Sequence, residues 1–273
     1  MKLLFYVFFL GFSALITAIL LPIFIQGGQS VSLDFLLEQP SDLGRNGGIG
    51  PILVSTLLMN LSMIPVVLAL GIPSALKLSQ IALCNPRRHL FLRTVLDILA
   101  STPSIVFGLF GNAFFVVYLN LGYSILAGVL TLSLMILPLF IRLMEDAFAD
   151  AAARYCSLCE SLRISEVRTT FRILIPAVLP AVAAALVLGW TRAIGETAAL
   201  LVTSGYSTRW PNTLLDSGRS LSIHIFDLSM NVPNGDAVAY RCALVLLLLT
   251  LFFSLASKVV MKAVFKWNLG TAL

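Results

Sequence analysis

Charge is scarce in this chain. Of 273 residues only 18 are Lys or Arg and 13 are Asp or Glu, whereas 59% are hydrophobic. The mean hydropathy is +0.97. A soluble globule cannot hide that much apolar surface, so the composition implies an integral membrane protein. Cysteine is scarce too. Cys84, Cys156, Cys159 and Cys242 show no disulfide-framework spacing. Three of them fall in segments expected in the cytosol, where thiols stay reduced. Cys156-x-x-Cys159 has no further ligands nearby and reads as incidental. His89 and His224 lack metal-binding spacing and read as loop residues. No Walker-type glycine loop, nucleophile elbow or zinc motif is present. Intrinsic catalysis is therefore not expected, and neither is a cofactor, a metal or a nucleic-acid partner.

Long apolar runs are abundant. Six are long enough to cross a bilayer, at residues 3–25, 52–76, 95–119, 122–141, 173–202 and 238–261. Lys2 precedes the first. That run is nonetheless too long for the apolar part of a secretory signal, and no clear A-x-A site follows, so it reads as an uncleaved span. Pro65, Gly71 and Pro73 interrupt the second run, and Ser101-Thr102-Pro103-Ser104 lies in the third. Backbone groups freed inside a membrane need neighbouring helices or a water-filled cavity. The expectation is an all-α, six-span bundle of the transporter kind, one domain over residues 1–273. Thirteen Lys and Arg lie on the side of the N-terminus, against Arg45, Arg209, Arg219 and Arg241 opposite. The positive-inside rule then places both termini in the cytosol.

Residues 142–172 form a charged segment between spans, with five Arg and the acids Glu145, Asp146, Asp150, Glu160 and Glu166. Ala147, Ala151, Tyr155, Leu158 and Leu162 recur at steps of four, four, three and four. This is one helical stripe, able to lie on a membrane or dock a partner. Pro176 and Pro180 suit the first turns of the following span.

Within that span Arg192 and Glu196 are the only charges. A buried charge at the bilayer centre costs roughly 2.5–3.5 kcal/mol on insertion scales. Four residues apart on a helix, the two side chains share a face and can meet. Two readings remain: a self-neutralising pair that packs the bundle, or a polar site in a translocation path. Gly189 and Gly195 flank the pair and permit close backbone approach. Arg142, at the end of the fourth run, reads as an interfacial arginine. Asp97 reads as a helix cap or as the partner of an arginine near an inner gate.

Several motifs carry a family resemblance. Residues 142–172, ending Ile173-x-Ile175-Pro176, resemble the cytosolic coupling loop of ABC importer permeases, whose motif runs E-A-A-x3-G-x9-I-x-L-P. Arg192-Ala193-Ile194-Gly195-Glu196-Thr197-Ala198 resembles the signature of the phosphate-uptake (Pst) permeases, with the Thr-Ala ending of the A-type subunit. Gly47-Gly48-Ile49-Gly50-Pro51, Asp97-Ile98-Leu99, the stretch from Thr102 to Phe110 and Leu221-Ser222-Ile223-His224-Ile225-Phe226 are similar to that subunit as well. The resemblance runs from Gly47 onward. It implies a type I ABC importer permease fold in a prokaryotic cytoplasmic membrane. It implies a second, related permease, a cytosolic ATPase dimer that hydrolyses the ATP, an external phosphate-binding protein, and phosphate as cargo. Arg192, Glu196 and Arg142 would contact phosphate and Asp97 is a candidate gate. Tyr155, Ser157, Leu158, Glu160, Leu162 and Arg163 would couple to the ATPase. The coupling motif is degenerate. Ser157-Leu158-Cys159 stands where the family has E-A-A, with Glu160 a turn away as a substitute acid. Arg163 stands where the family has glycine, which penalises any left-handed backbone there. The same fold moving another oxyanion such as molybdate or sulfate, or a membrane regulator without ATPase coupling, are the alternatives.

Overall fold

A computed structural model of the chain describes residues 2–28 and 31–270. Among them, five helices are long and apolar enough to cross a membrane, and a bent pair makes a sixth crossing if counted as one span. The first is α1 (Lys2–Gly28), which among the described residues packs mainly against the last, α11 (Asp236–Gly270). Gly27 makes that crossing close: a Cβ there would lie 2.7 Å from the carbonyl oxygen of Tyr240. Between α1 and the second long helix sits a small cap. It contains α2 (Leu33–Leu37), N-capped by Ser32, and the antiparallel strands β1 (Pro40–Ser41) and β2 (Asn46–Gly47).

The centre of the bundle is α3 (Gly50–Cys84) packed along α6 (Ile125–Ser161). At 1.5 Å per residue each is about 50 Å long, well beyond a hydrocarbon core of about 30 Å. The apolar stretches 52–76 and 125–141 are thus parts of longer rods. Pro65, Pro73 and Pro138 are carried inside them without a break. Gly71 leaves room for the Phe140 ring, which a Cβ would overlap. Met63 and Val67 of α3, and Ile136, Phe140 and Met144 of α6, fill the core between them.

The third apolar run, 95–119, is not one straight span. It divides between α4 (Pro86–Ser101) and α5 (Ser104–Gly111), the latter continuing as a π-helical stretch to Tyr118, and the two halves meet at 94°. Pro103 causes the bend. It has no amide to donate, and it pushes Thr102 into an extended conformation (φ −66°, ψ 134°). The hydroxyls of Ser101 and Thr102 both donate to the carbonyl of Ile98 at 2.9 Å, closing the helix end.

The fifth run is also broken. α7 (Glu166–Thr169) and a π-helical stretch Thr170–Leu174 lead into it, and the run itself consists of α8 (Ile175–Ile194) and, after a break, the single turn α9 (Ala198–Leu201). A loop leads to α10 (Leu221–Met230), which packs on the cap: Leu221 and Leu228 share a core with Phe35, Ile49 and Ile52.

Candidate functional site

Arg192 and Glu196 are not on one helix. Backbone helicity stops at Ile194, with Gly195 at φ −92°, ψ 2°, and resumes only at Ala198. The expected pair along a single helix face is therefore absent. Arg192 is exposed and makes no ion pair among the described residues. The Glu196 carboxylate turns instead to the next helix and accepts from the Ala199 amide at 3.4 Å. Gly189 permits a close approach, since a Cβ would lie 2.8 Å from Ile136. Gly195 does not: nothing stands within 4 Å of a Cβ there. Gly195 instead marks the point at which the helix stops.

The carbonyl of Glu196 has a long-range partner. Ser222 on α10 donates its hydroxyl to it at 2.6 Å. α10 is in turn tied to α3, because the Leu221 amide donates to Thr56 Oγ1 at 2.8 Å. The break thus sits against a buried polar seam of Thr56, Ser220 and Ser222.

Arg142 lies within α6 and is engaged by two carboxylates. Its Nε forms an ion pair with Asp97 Oδ1 at 2.8 Å, and its Nη1 donates to Glu145 Oε2 at 3.3 Å. Asp97 lies on α4, so it pairs with an arginine rather than capping a helix. Glu145 is only 4% exposed and also contacts Nε2 of His89. Arg93 reaches Asp146 at 3.4 Å. His89, Arg93 and Asp97 recur every four residues, which places them on one face of α4. That face meets Arg142, Glu145 and Asp146 of α6 in an alternating set of charges. His89 is therefore a helical residue with a partner, not a loop residue.

His224 is likewise helical, on α10, and fully buried. Arg219 Nη1 lies 3.3 Å from its Nδ1 and donates to Asp227 Oδ2 at 2.8 Å. The Arg219 guanidinium also stands over the Tyr206 ring. Burial, reinforced by Arg219, lowers the His224 pKa to about 4.

The segment 142–172 is mostly helix, because α6 runs on to Ser161. The stripe predicted from Ala147 to Leu162 divides. Ala151 is buried in the bundle, whereas Tyr155, Leu158 and Leu162 are exposed, as are Val167 and Phe171 beyond the turn. Ser157, Glu160 and Arg163 are exposed too. The turn is a Schellman motif: Ile164 donates to the Cys159 carbonyl (2.9 Å) and Arg163 to that of Glu160 (3.0 Å). Arg163 takes φ +54°, the left-handed conformation that glycine adopts most easily. Cys84, Cys156 and Cys159 line a cavity of about 460 Å³ behind this turn, with Lys77 and Glu160.

The residues that sequence reasoning passed over are His89, Arg93, Glu145, Thr56 and Ser222. Two faint signals existed. Glu145 follows Arg142 by three residues, and His89, Arg93 and Asp97 keep helical spacing. Nothing local marked Thr56, and Ser222 stood out only inside the family-like motif from Leu221 to Phe226; their partners lie 165 and 26 residues away in the chain.

A family model described as "Binding-protein-dependent transport system inner membrane component" matches residues 68–266. The "Probable ABC transporter permease protein YqgI" of Bacillus subtilis is 29% identical over 265 residues, covering 90% of each chain. The "Phosphate transport system permease protein PstA 2" of Mycobacterium tuberculosis is 30% identical over 211 residues, 76% of this chain and 69% of its own. Among solved structures, the inward-facing MetNI methionine ABC transporter superposes with a TM-score of 0.67 at 16% identity. That match covers 79% of this chain and 95% of the other, and it speaks to the fold.

Proposed function

Because the chain belongs to the binding-protein-dependent inner membrane components, as an ABC permease of the PstA type, we propose that it is the subunit that carries inorganic phosphate in an ATP-driven importer. A second, related permease completes the path. A cytosolic ATPase dimer drives the cycle, and an external binding protein delivers the cargo.

The observation that carries this reading is Arg192 itself: an exposed guanidinium on an apolar helix, with no carboxylate beside it. Facing lipid, such a group is costly. Facing a path between two permeases, it offers a fork of donors that fits an oxyanion and cannot deprotonate. Phosphate near neutral pH keeps a proton, whereas sulfate has none. Glu196, beyond the break, is an acceptor for that proton, and against sulfate it presents only a like charge. This favours phosphate over molybdate or sulfate.

Arg142, held by Asp97 and Glu145, is the second phosphate contact. It must exchange a carboxylate for the oxyanion, which makes Asp97 part of an inner gate. The exposed side chains of Leu158, Leu162, Val167 and Phe171 supply the apolar anchors for an ATPase groove. The altered coupling motif favours a regulator that has lost its ATPase. Against that stands the intact turn at Arg163, which keeps the hinge conformation without glycine.

The test is phosphate-dependent ATP hydrolysis by the complex reconstituted with its cognate permease and ATPase. Arg192→Lys keeps the charge and loses the fork, so activity should fall at least tenfold. Glu196→Gln should weaken discrimination against sulfate. Parental rate and selectivity in both variants would remove the pair from the path.

A further inference from the structure

The break after Ile194 has a consequence for Arg192. Were the helix to continue through Gly195, Glu196 would stand four residues from Arg192 on the same face, and the carboxylate would take the guanidinium. The arginine would then be neutralised and its donors occupied. In that continuous helix the Glu196 carbonyl would accept from the amide four residues on. In the structure the ladder of α9 begins one residue later, with Leu201 donating to Thr197 at 2.9 Å. The Glu196 carbonyl accepts from Ser222 at 2.6 Å instead.

Ser222 is itself held. A hydroxyl has a single proton. Ser222 gives that proton to Glu196, so in its 2.9 Å contact with Ser220 it accepts and Ser220 donates. Ser220 also caps α10, accepting from the Ile223 amide at 3.3 Å. The adjacent Leu221 amide is bound by Thr56 of α3, and the Thr56 hydroxyl donates to the Ile52 carbonyl at 2.7 Å. Thr56, Ser220 and Ser222 are all buried. Away from water, successive hydrogen bonds strengthen one another, and an acceptor left without a partner is costly. α3 therefore fixes α10, and α10 fixes the peptide that must move if the helix is to close.

We propose that Ser222 is a positioning residue that keeps Arg192 free. By anchoring the Glu196 carbonyl to α10 it holds the fifth span open and prevents the carboxylate from pairing with the guanidinium. It acts through Glu196 and touches no substrate. The inference rests on the reading of Arg192 and Glu196 as substrate groups, and it adds what sets their separation.

The experiment uses the whole complex in proteoliposomes and reads the phosphate dependence of ATP hydrolysis. Losing one buried hydrogen bond of ordinary strength predicts a rise in the apparent KM for phosphate of about three- to tenfold in Ser222→Ala. Ser222→Thr, which keeps the hydroxyl, should restore it. The decisive comparison is in the Glu196→Gln background, where no carboxylate competes for Arg192. There Ser222→Ala should add little. A parental KM in Ser222→Ala, or a rise that persists in full with Glu196→Gln, overturns the inference and leaves Ser222 as a packing residue. If Arg192→Lys has a parental KM, the site reading falls and this inference with it. An impaired Arg192→Lys beside a parental Ser222→Ala overturns the inference alone. Should Ser222→Ala fail to accumulate in the membrane, Ser222→Cys, a weaker donor of similar size, makes the same comparison with the same outcomes.

Discussion

Arg142 and Asp97 join the two arms of the charged network. The guanidinium of α6 forms an ion pair with the carboxylate of α4 at 2.8 Å, just ahead of the bend at Pro103. Arg142 also holds Glu145, and the burial of the two acids differs sharply. Glu145 is 4% exposed and Asp97 is 55% exposed.

That difference predicts unequal losses. Glu145→Ala takes the buried acceptor from His89, Arg93 and Arg142, while Asp146 and Asp97 still hold the two arginines, and should cost about 1.5–3 kcal/mol. Asp97→Asn breaks a pair open to solvent and should cost about 1 kcal/mol or less. Thermal unfolding of the detergent-solubilised complex should show a much larger fall in Tm for the first. Equal shifts would mean that the network does not hold α4 to α6.

Arg163 is the next test. A non-glycine residue in the left-handed region costs about 1–2 kcal/mol locally, and part of that gain is offset when glycine loosens the unfolded chain. Arg163→Gly should therefore firm the turn by about 0.5–1 kcal/mol, and Arg163→Val should loosen it by more than 1 kcal/mol. Hydrogen exchange at the Ile164 amide, bonded to the Cys159 carbonyl, should slow in the first and quicken in the second.

His224 predicts a dependence on acid. Its pKa is about 4 in the fold, mainly through burial, against about 6.5 unfolded. The neutral form is the one that fits, so its contribution is complete above pH 6.5. It is lost as pH falls toward 4, by roughly 3 kcal/mol at 1.36 kcal/mol per unit. Arg219 occupies Nδ1, which leaves the proton on Nε2, where no partner is found among the described residues. His224→Gln should flatten the dependence of Tm on pH between 6.5 and 4, and an unchanged slope would assign the acid sensitivity to another group.

Orientation follows from the basic residues and is checked by labelling. Leu215, in the loop before α10, is 60% exposed. A cysteine there, with Cys84, Cys156, Cys159 and Cys242 replaced, should react with an impermeant thiol reagent added from outside. Labelling from the cytosolic side alone would reverse the topology.

The sequence by itself determined the class of molecule, an all-α membrane protein with several apolar helices long enough to cross a bilayer. Apolar runs of span length leave no other solvent for this chain, and hydropathy sums over local residues alone. The helical stripe that becomes the end of α6, and the penalty at Arg163, were local properties too. Tertiary structure decided what the polar residues do. Spacing of four placed Arg192 and Glu196 together, yet the helix stops at Gly195, and Ser222, 26 residues on, takes the carbonyl that an unbroken helix would have used. His89 and Glu145, 56 residues apart, meet only because α4 folds back along α6. A periodicity argument assumes that the helix continues, and whether it does depends on competing partners for its backbone, which only the packed bundle supplies.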